Sequence, residues 1–154
     1  MPPKIAVCLW FDDQAEEAAK FYTSLIPNSE ITGILRPDAS RPAVMVNFTL
    51  GGAAFQGLNG GPHVKHNEAA SISVSTKDQA ETDRLWDALL ANGGSELQCA
   101  WLKDRFGVHW QIVPEALPKY LGASDTEAAG RAMQAMLGMK KIVVAELEAA
   151  FRGA

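Results

Sequence analysis

The sequence predicts an α+β chain made of two βαβββ modules followed by C-terminal helices. Three echoes carry this expectation. Asp13-Gln14-Ala15-Glu16 recurs as Asp78-Gln79-Ala80-Glu81. Ser29-Glu30-Ile31 is echoed by Ser95-Glu96-Leu97. Phe55-Gln56 is echoed by Trp110-Gln111, each shortly after a turn glycine, Gly52 and Gly107. Two copies of one module can face each other and enclose a cavity, so the doubling predicts where a site would lie. A chain of 154 residues suits one domain of that construction, with module one at 4–59, a linker at 60–69, module two at 70–114 and a helical tail at 115–154.

The elements follow in order. Ile5 to Phe11 is a short apolar run, expected as a strand with little of it exposed. Asp13, with Glu16 three residues on, offers a capping box. Ala15, Ala18, Ala19, Tyr22, Leu25 and Ile26 recur at helical spacing, and Pro27-Asn28 ends that helix. Ile31 to Leu35 is a strand, and 36–42 is a proline-bearing loop. Val44, Val46, Phe48 and Leu50 alternate with polar or smaller neighbours, Gly51-Gly52 turns the chain, and Ala53 to Leu58 returns.

Module two repeats the pattern. Ile72 and Val74 alternate with Ser71, Ser73 and Ser75, and Asp78 with Glu81 forms the second capping box. Leu85, Trp86, Leu89 and Leu90 form the helix face that Asn92-Gly93-Gly94 terminates. Leu97 to Lys103 and Val108 to Val113 make a hairpin, with Gly107 at a positive-φ position. In the tail, Ser124 with Glu127 is a third capping box. Met133, Met136 and Leu137 share a side that is expected to pack in the core, and Val144 to Phe151 is a second short helix beyond Gly138.

Composition excludes several classes. A net charge of −4 argues against a nucleic-acid partner, which needs clustered Lys and Arg. The apolar runs are too short to span a bilayer, and no secretory leader pattern is read at the start. Cys8 and Cys99, without a Cys-x-x-Cys, fit a reducing cytoplasm and small apolar filler positions.

The doubled pattern resembles the vicinal oxygen chelate superfamily, the fold shared by glyoxalase, extradiol dioxygenases and bleomycin-resistance proteins. Four stretches are similar to its PhnB-like branch, labelled 3-demethylubiquinone-9 3-methyltransferase-like. These are Cys8 to Asp12; Ala15-Glu16-Glu17-Ala18 with Phe21-Tyr22; Gly57 to Pro62; and Trp101 to Gly107 through Trp110-Gln111. The resemblance runs through Val113, and the tail helices also suit the branch. It implies a glyoxalase-like mixed sheet around a cleft, and a homodimer in which modules pair within or between chains. Metal-dependent members resemble one another in placing His or Glu on the first and last strand of each module. Here those positions fall at Ala6 and Ser71 (Val7 and Ile72 if the strand is slipped by one), and at Gln56 and Gln111. Neutral amides do not repay the dehydration of a divalent ion, so the expectation is no metal and no cofactor.

Strand parity then nominates a ligand face. Gln111 shares its side with His109 and Val113, while Trp110 and Ile112 turn toward a helix. Gln56 and Leu58 are the counterparts in module one, joined by Cys8 and Trp10 on the leading strand and by Ser71 and Ser73 in module two. The expected ligand-binding residues are therefore Cys8, Trp10, Gln56, Ser71, Ser73 and Gln111. Local hydrogen bonding of the two amides is the alternative for Gln56 and Gln111. His109 is the expected catalytic group if the protein is an enzyme, since it alone on that face can shuttle protons near neutral pH. His63 and His66 are expected as solvated or interfacial linker residues. The expected function is metal-free binding of a small molecule. The alternative is a lyase, isomerase or dioxygenase-like enzyme on a small oxygenated substrate. Methyl transfer is not expected, because the paired glycines lie in a hairpin, a linker and a helix terminus rather than in a strand-to-helix turn.

Overall fold

The computed structural model describes residues 2–154. The chain forms two compact units, one ending at His66 and the other beginning at Asn67. The first contains β1 (Val7–Phe11), α1 (Ala15–Leu25), β2 (Glu30–Leu35), β3 (Met45–Leu50) and β4 (Ala53–Asn59). Its sheet runs in the order β1-β4-β3-β2, with β1 parallel to β4 and the other pairs antiparallel. The side-chain period of two decides the faces. Leu9, Phe11, Val46, Phe48 and Leu50 are buried, as are Ala15, Ala18, Ala19 and Tyr22 of α1. A Cβ on Gly57 would lie 3.1 Å from the Cβ of Ala15, so the missing side chain lets α1 approach β4 closely. Cys8, Trp10, Met45, Asn47 and Gln56 take the opposite parity.

Two sequence expectations fail in this unit. The leading strand is not largely buried: Ile5 is 82% exposed, and Val7 and Cys8 are exposed too. β1 is an edge strand with β4 as its one neighbour, which leaves its first residues uncovered. Asp13 does not cap α1. The N-cap is Gln14, so Asp13 stands one residue too early to reach the first amides. Asn59 serves instead: its Oδ1 accepts from the Ala15 N–H at 2.9 Å, and its Nδ2 donates to the Ala43 carbonyl at 2.8 Å.

The second unit contains β5 (Ile72–Thr76), α2 (Gln79–Leu90), β6 (Ser95–Glu96), β7 (Trp101–Lys103) and β8 (His109–Pro114). Its sheet order, β5-β8-β7-β6, repeats that of the first, with β5 parallel to β8. Here the capping residue works. Asp78 accepts from the Glu81 N–H at 2.9 Å, and Glu81 Oε2 accepts from the Lys77 N–H at 2.8 Å. α2 buries Thr82, Leu85, Trp86 and Leu89, while Leu102, Trp110 and Ile112 are buried on the sheet. Gly107 has φ 88° in the β7–β8 turn, as its position demands.

The long strand expected over Leu97 to Lys103 is interrupted. Cys99 and Ala100 adopt φ 57° and 77°, values uncommon for residues with a Cβ. Their amides leave the sheet ladder and donate to the carbonyls of Met139 and Lys140, at 2.8 and 2.9 Å. A distant piece of chain thus breaks the strand, which no local pattern could announce.

That piece belongs to the tail: α3 (Ala116–Leu121), α4 (Thr126–Leu137) and α5 (Val144–Arg152). The sequence pattern offers no sign of α3. Asp125, not Ser124, caps α4, accepting from the Ala128 N–H at 3.1 Å. The tail core gathers Leu117, Ala132, Met139, Ile142 and Leu147 with Ala100 of the β6–β7 connection, and Val113 of β8 packs against it. The expectation that Met133 and Leu137 fill the core is overturned, since they are 42% and 51% exposed. α4 packs through the small residues Ala128 and Ala132, which turns Met133 and Leu137 outward. Among the described residues, no helix is long and apolar enough to cross a membrane.

Candidate functional site

In the second unit, the sheet face opposite α2 carries two adjacent rows. The register pairs Ser95 with Lys103 and Lys103 with His109, and it pairs Trp101 with Gln111 and Gln111 with Ser73. Directly opposed residues on one face hold their Cβ atoms about 5 Å apart, so each row is a set of neighbours. One row offers a hydroxyl, an ammonium and an imidazole. The other offers an indole, an amide and a second hydroxyl. A cleft of about 700 Å³ lies here, lined by Trp101, Leu97, Lys103, His109, Ser95 and Glu68 among others.

His109 is the chemical centre of that cleft. Its side chain is only 6% exposed, and its Nε2 lies 4.0 Å from Oε2 of Glu68, whose side chain is 80% exposed. Nδ1 is buried and has no partner among the described residues. A proton on Nδ1 would orphan a buried N–H, which is costlier than an under-used acceptor. The neutral ring therefore carries its proton on Nε2 and presents a donor toward the Glu68 side. The Glu68 separation is too long for a hydrogen bond, which leaves that donor for another acceptor. Gln111 donates from Nε2 to Ser71 Oγ at 2.8 Å, so one of the two nominated amides is held locally.

On the corresponding face of the first unit, the register sets Cys8, Gln56 and Asn47 in one row and Trp10, Leu58 and Met45 in the next. Trp10 is nevertheless engaged by its own linker. Its Nε1 donates to the Gly61 carbonyl at 2.9 Å, the His63 ring meets it edge-on at 5.3 Å, and Nε2 of His66 lies 2.6 Å from its carbonyl. A Cβ on Gly60 would fall 2.3 Å from the indole. His66 is thus interfacial, held against Trp10, and His63 touches the edge of the indole while remaining exposed to solvent. Cys8 is exposed, not an apolar filler. Neighbouring atoms still withdraw enough water from its thiol to push its pKa up, which disfavours a nucleophilic thiolate.

The sequence-nominated residues thus form two sets, one on each unit's open sheet face: Cys8, Trp10 and Gln56 on the first, and Ser71, Ser73, His109 and Gln111 on the second. Sequence reasoning missed Lys103, Glu68, Ser95 and Leu97, and it left Trp101 undecided. Lys103 was within reach, since counting outward from the Asp104–Val108 turn sets it opposite His109. Glu68 was not, because its position depends on how the segment before β5 folds.

The positions that the resemblance aligns with metal ligands, Ala6 and Ser71 (or Val7 and Ile72 if the strand is slipped by one) with Gln56 and Gln111, supply no anionic or imidazole donor. Among the described residues, no group of three or more His, Cys, Asp and Glu side chains is placed to hold an ion. The donor set does not fit a divalent ion in the way those relatives bind it.

Two βαβββ units with this strand order, helix-backed on one face and open on the other, define the vicinal oxygen chelate class, the glyoxalase/bleomycin-resistance fold. Residues 3–113 match the family described as 3-demethylubiquinone-9 3-methyltransferase, and the chain belongs to that PhnB-like family. A Bacillus cereus protein described as a putative 3-demethylubiquinone-9 3-methyltransferase, PhnB protein, is 30% identical, covers 73% of this chain and 99% of its own, and superposes with a TM-score of 0.67. Protein PA1353 of Pseudomonas aeruginosa is 23% identical over 73% of this chain and 98% of its own, with a TM-score of 0.61. The fosfomycin resistance protein FosX of Listeria monocytogenes shares the fold at 14% identity, covering 79% of this chain and 98% of its own, with a TM-score of 0.55. No functionally curated protein matches the chain. The family match ends at Val113, ahead of α3, so the tail expected to accompany the branch lies outside it.

Proposed function

We propose that this protein binds a small molecule without a metal ion or cofactor, and that the open sheet face of module two is its ligand face. The observation that carries the reading is His109, nearly fully buried yet turning Nε2 toward a cleft beside Trp101. A site that mixes one aromatic wall with a few convergent polar groups suits a small, partly apolar ligand. Cytoplasmic location and a homodimer, suggested by free cysteines and by the resemblance, complete the proposal.

His109→Ala and Gln111→Leu are expected to weaken at least tenfold the binding of any metabolite that stabilises the wild-type protein in a thermal-shift screen. Circular dichroism confirms that each variant is folded. Unchanged binding in both would place the ligand elsewhere. Elemental analysis of protein purified without chelators is expected to find no stoichiometric divalent ion, and one tightly bound ion per chain would refute the metal-free reading.

An enzymatic reading draws on one specific feature, the carboxylate of Glu68 4.0 Å from His109. An imidazole with an acidic neighbour can act as acid and base on a small oxygenated substrate, as in a lyase or isomerase. Methyl transfer draws on the family's name alone. None of the strand-to-helix connections, Asp12 to Gln14, Lys77-Asp78 and Glu115, contains glycine, and the glycine pairs lie elsewhere. S-adenosylmethionine is expected to leave the melting temperature unchanged.

A further inference from the structure

We propose that the module-two cleft selects a small apolar or aromatic carboxylic acid in its ionised form, and that Glu68 competes for the acid's place. The proposal rests on the ligand face argued above and names the chemistry it recognises. Lys103 and His109 are opposed across β7 and β8, so an ammonium and an Nε2–H donor stand side by side. Lys103 makes no ion pair among the described residues, and His109 Nε2 has no acceptor within hydrogen-bonding distance there. Two adjacent donors, one cationic and both unmatched, define a place for two oxygens sharing a negative charge.

The next row supplies the body of the ligand site. Trp101, half-buried, stands in register with Gln111, and the Leu97 N–H donates to the Trp101 carbonyl at 2.9 Å, which brings Leu97 to the same end of the sheet. An acid with a planar or branched apolar body lies against Trp101 and Leu97 while its carboxylate meets Lys103 and His109. The cleft, about 700 Å³, falls within the range that holds such molecules.

Glu68 explains why the donors are not closed off. Its carboxylate lies near Nε2 but beyond bonding distance, on an exposed side chain in the turn ahead of β5. It shares the charge and shape of the ligand's head group without its geometry. An incoming acid displaces it at little cost, while the Lys103 ammonium repels a cationic ligand.

The test uses the full chain and three probes with one body: 3-phenylpropanoate, 3-phenylpropanamide and 3-phenylpropylamine. Binding is followed through the His109 imidazole and Trp101 indole signals in NMR titrations. The carboxylate is expected to bind about tenfold more tightly than the amide, and the amine more weakly than either. Lys103→Met is expected to abolish the preference by weakening carboxylate binding about tenfold more than amide binding, and Glu68→Gln to tighten carboxylate binding several-fold. Both side chains are exposed, so neither change threatens folding. Equal or tighter binding of amide or amine, an unchanged preference in Lys103→Met, or weaker carboxylate binding in Glu68→Gln overturns the proposed selectivity while leaving small-molecule binding intact. If none of the three probes moves either signal up to its solubility limit, the ligand face itself is refuted.

Discussion

The carboxylate of Asp104 is 1% exposed and fully occupied. Oδ1 accepts from the N–H groups of Phe106 and Val108 at 2.9 and 3.0 Å, and Oδ2 accepts from Trp110 Nε1 at 2.9 Å. One residue therefore shapes the β7–β8 turn and fixes the buried indole beneath it. Asp104→Ala would strand three buried or half-buried donors and is expected to cost about 2–4 kcal/mol, measured by urea denaturation. The turn residues Asp104 to Gly107, within a stretch that carries part of the family resemblance, are thus explained by folding. Gly57 to Pro62 is explained the same way, since Gly57 admits α1, Asn59 caps it and Gly60 seats Trp10. Gly60→Ala is expected to displace the indole at about 1–3 kcal/mol, visible as altered tryptophan fluorescence. Parity along β8 was legible in sequence because it needs only a period of two. The capture of Trp10 was not, because its partner Gly61 lies beyond one helix and three strands of intervening chain.

At the scale of elements, two copies of one sequence signal behave differently. Asp13 and Asp78 head the same tetrapeptide, yet Asp78 alone accepts a helix amide. Asp78→Ala is expected to cost about 1 kcal/mol, and Asp13→Ala to stay within about 0.5 kcal/mol. Asn59→Ala, which releases both the α1 cap and the Ala43 tie, is expected to exceed either, at about 1–3 kcal/mol. Thermal unfolding of the three variants ranks them. The tail is tied to α2 by Gln79, whose amide donates to Asp83 and to the Ile142 carbonyl and accepts from the Val144 N–H. Gln79→Ala is expected to raise hydrogen exchange across 139–147 ahead of the sheet. The hydrogen bond from Gln79, and after it that from Lys141, holds the Asp83 carboxyl below its ordinary value. A depressed folded pKa stabilises above the unfolded value, about 4, and that part is lost as the pH falls through the lower folded one. Asp83 is nearly half exposed, so solvent screening keeps that contribution small.

At the scale of the whole molecule, the acidic balance argues against a polyanion partner, which needs clustered Lys and Arg. The proposed homodimer is tested by sedimentation, where twice the 16.6 kDa chain mass is expected and the monomer mass alone at every concentration would exclude it. In this chain the stretches that carry the family resemblance include residues that pack and cap, such as Gly57, Asn59 and Asp104. Lys103 and Glu68, which line the cleft, are exposed and neither pack nor cap, so membership by itself does not assign an activity.

The sequence by itself determined the α+β class, the doubling of the βα pattern and the facing of those strands in which apolar and polar residues alternate. These are consequences of local periodicity and turn chemistry, which adjacent residues carry. The tertiary structure alone decided which capping residue is used, where the tail breaks β6 from β7, that Trp10 is clasped and that Glu68 approaches His109. Each of these depends on segments distant in the chain meeting in space, and no spacing of residues encodes such a meeting.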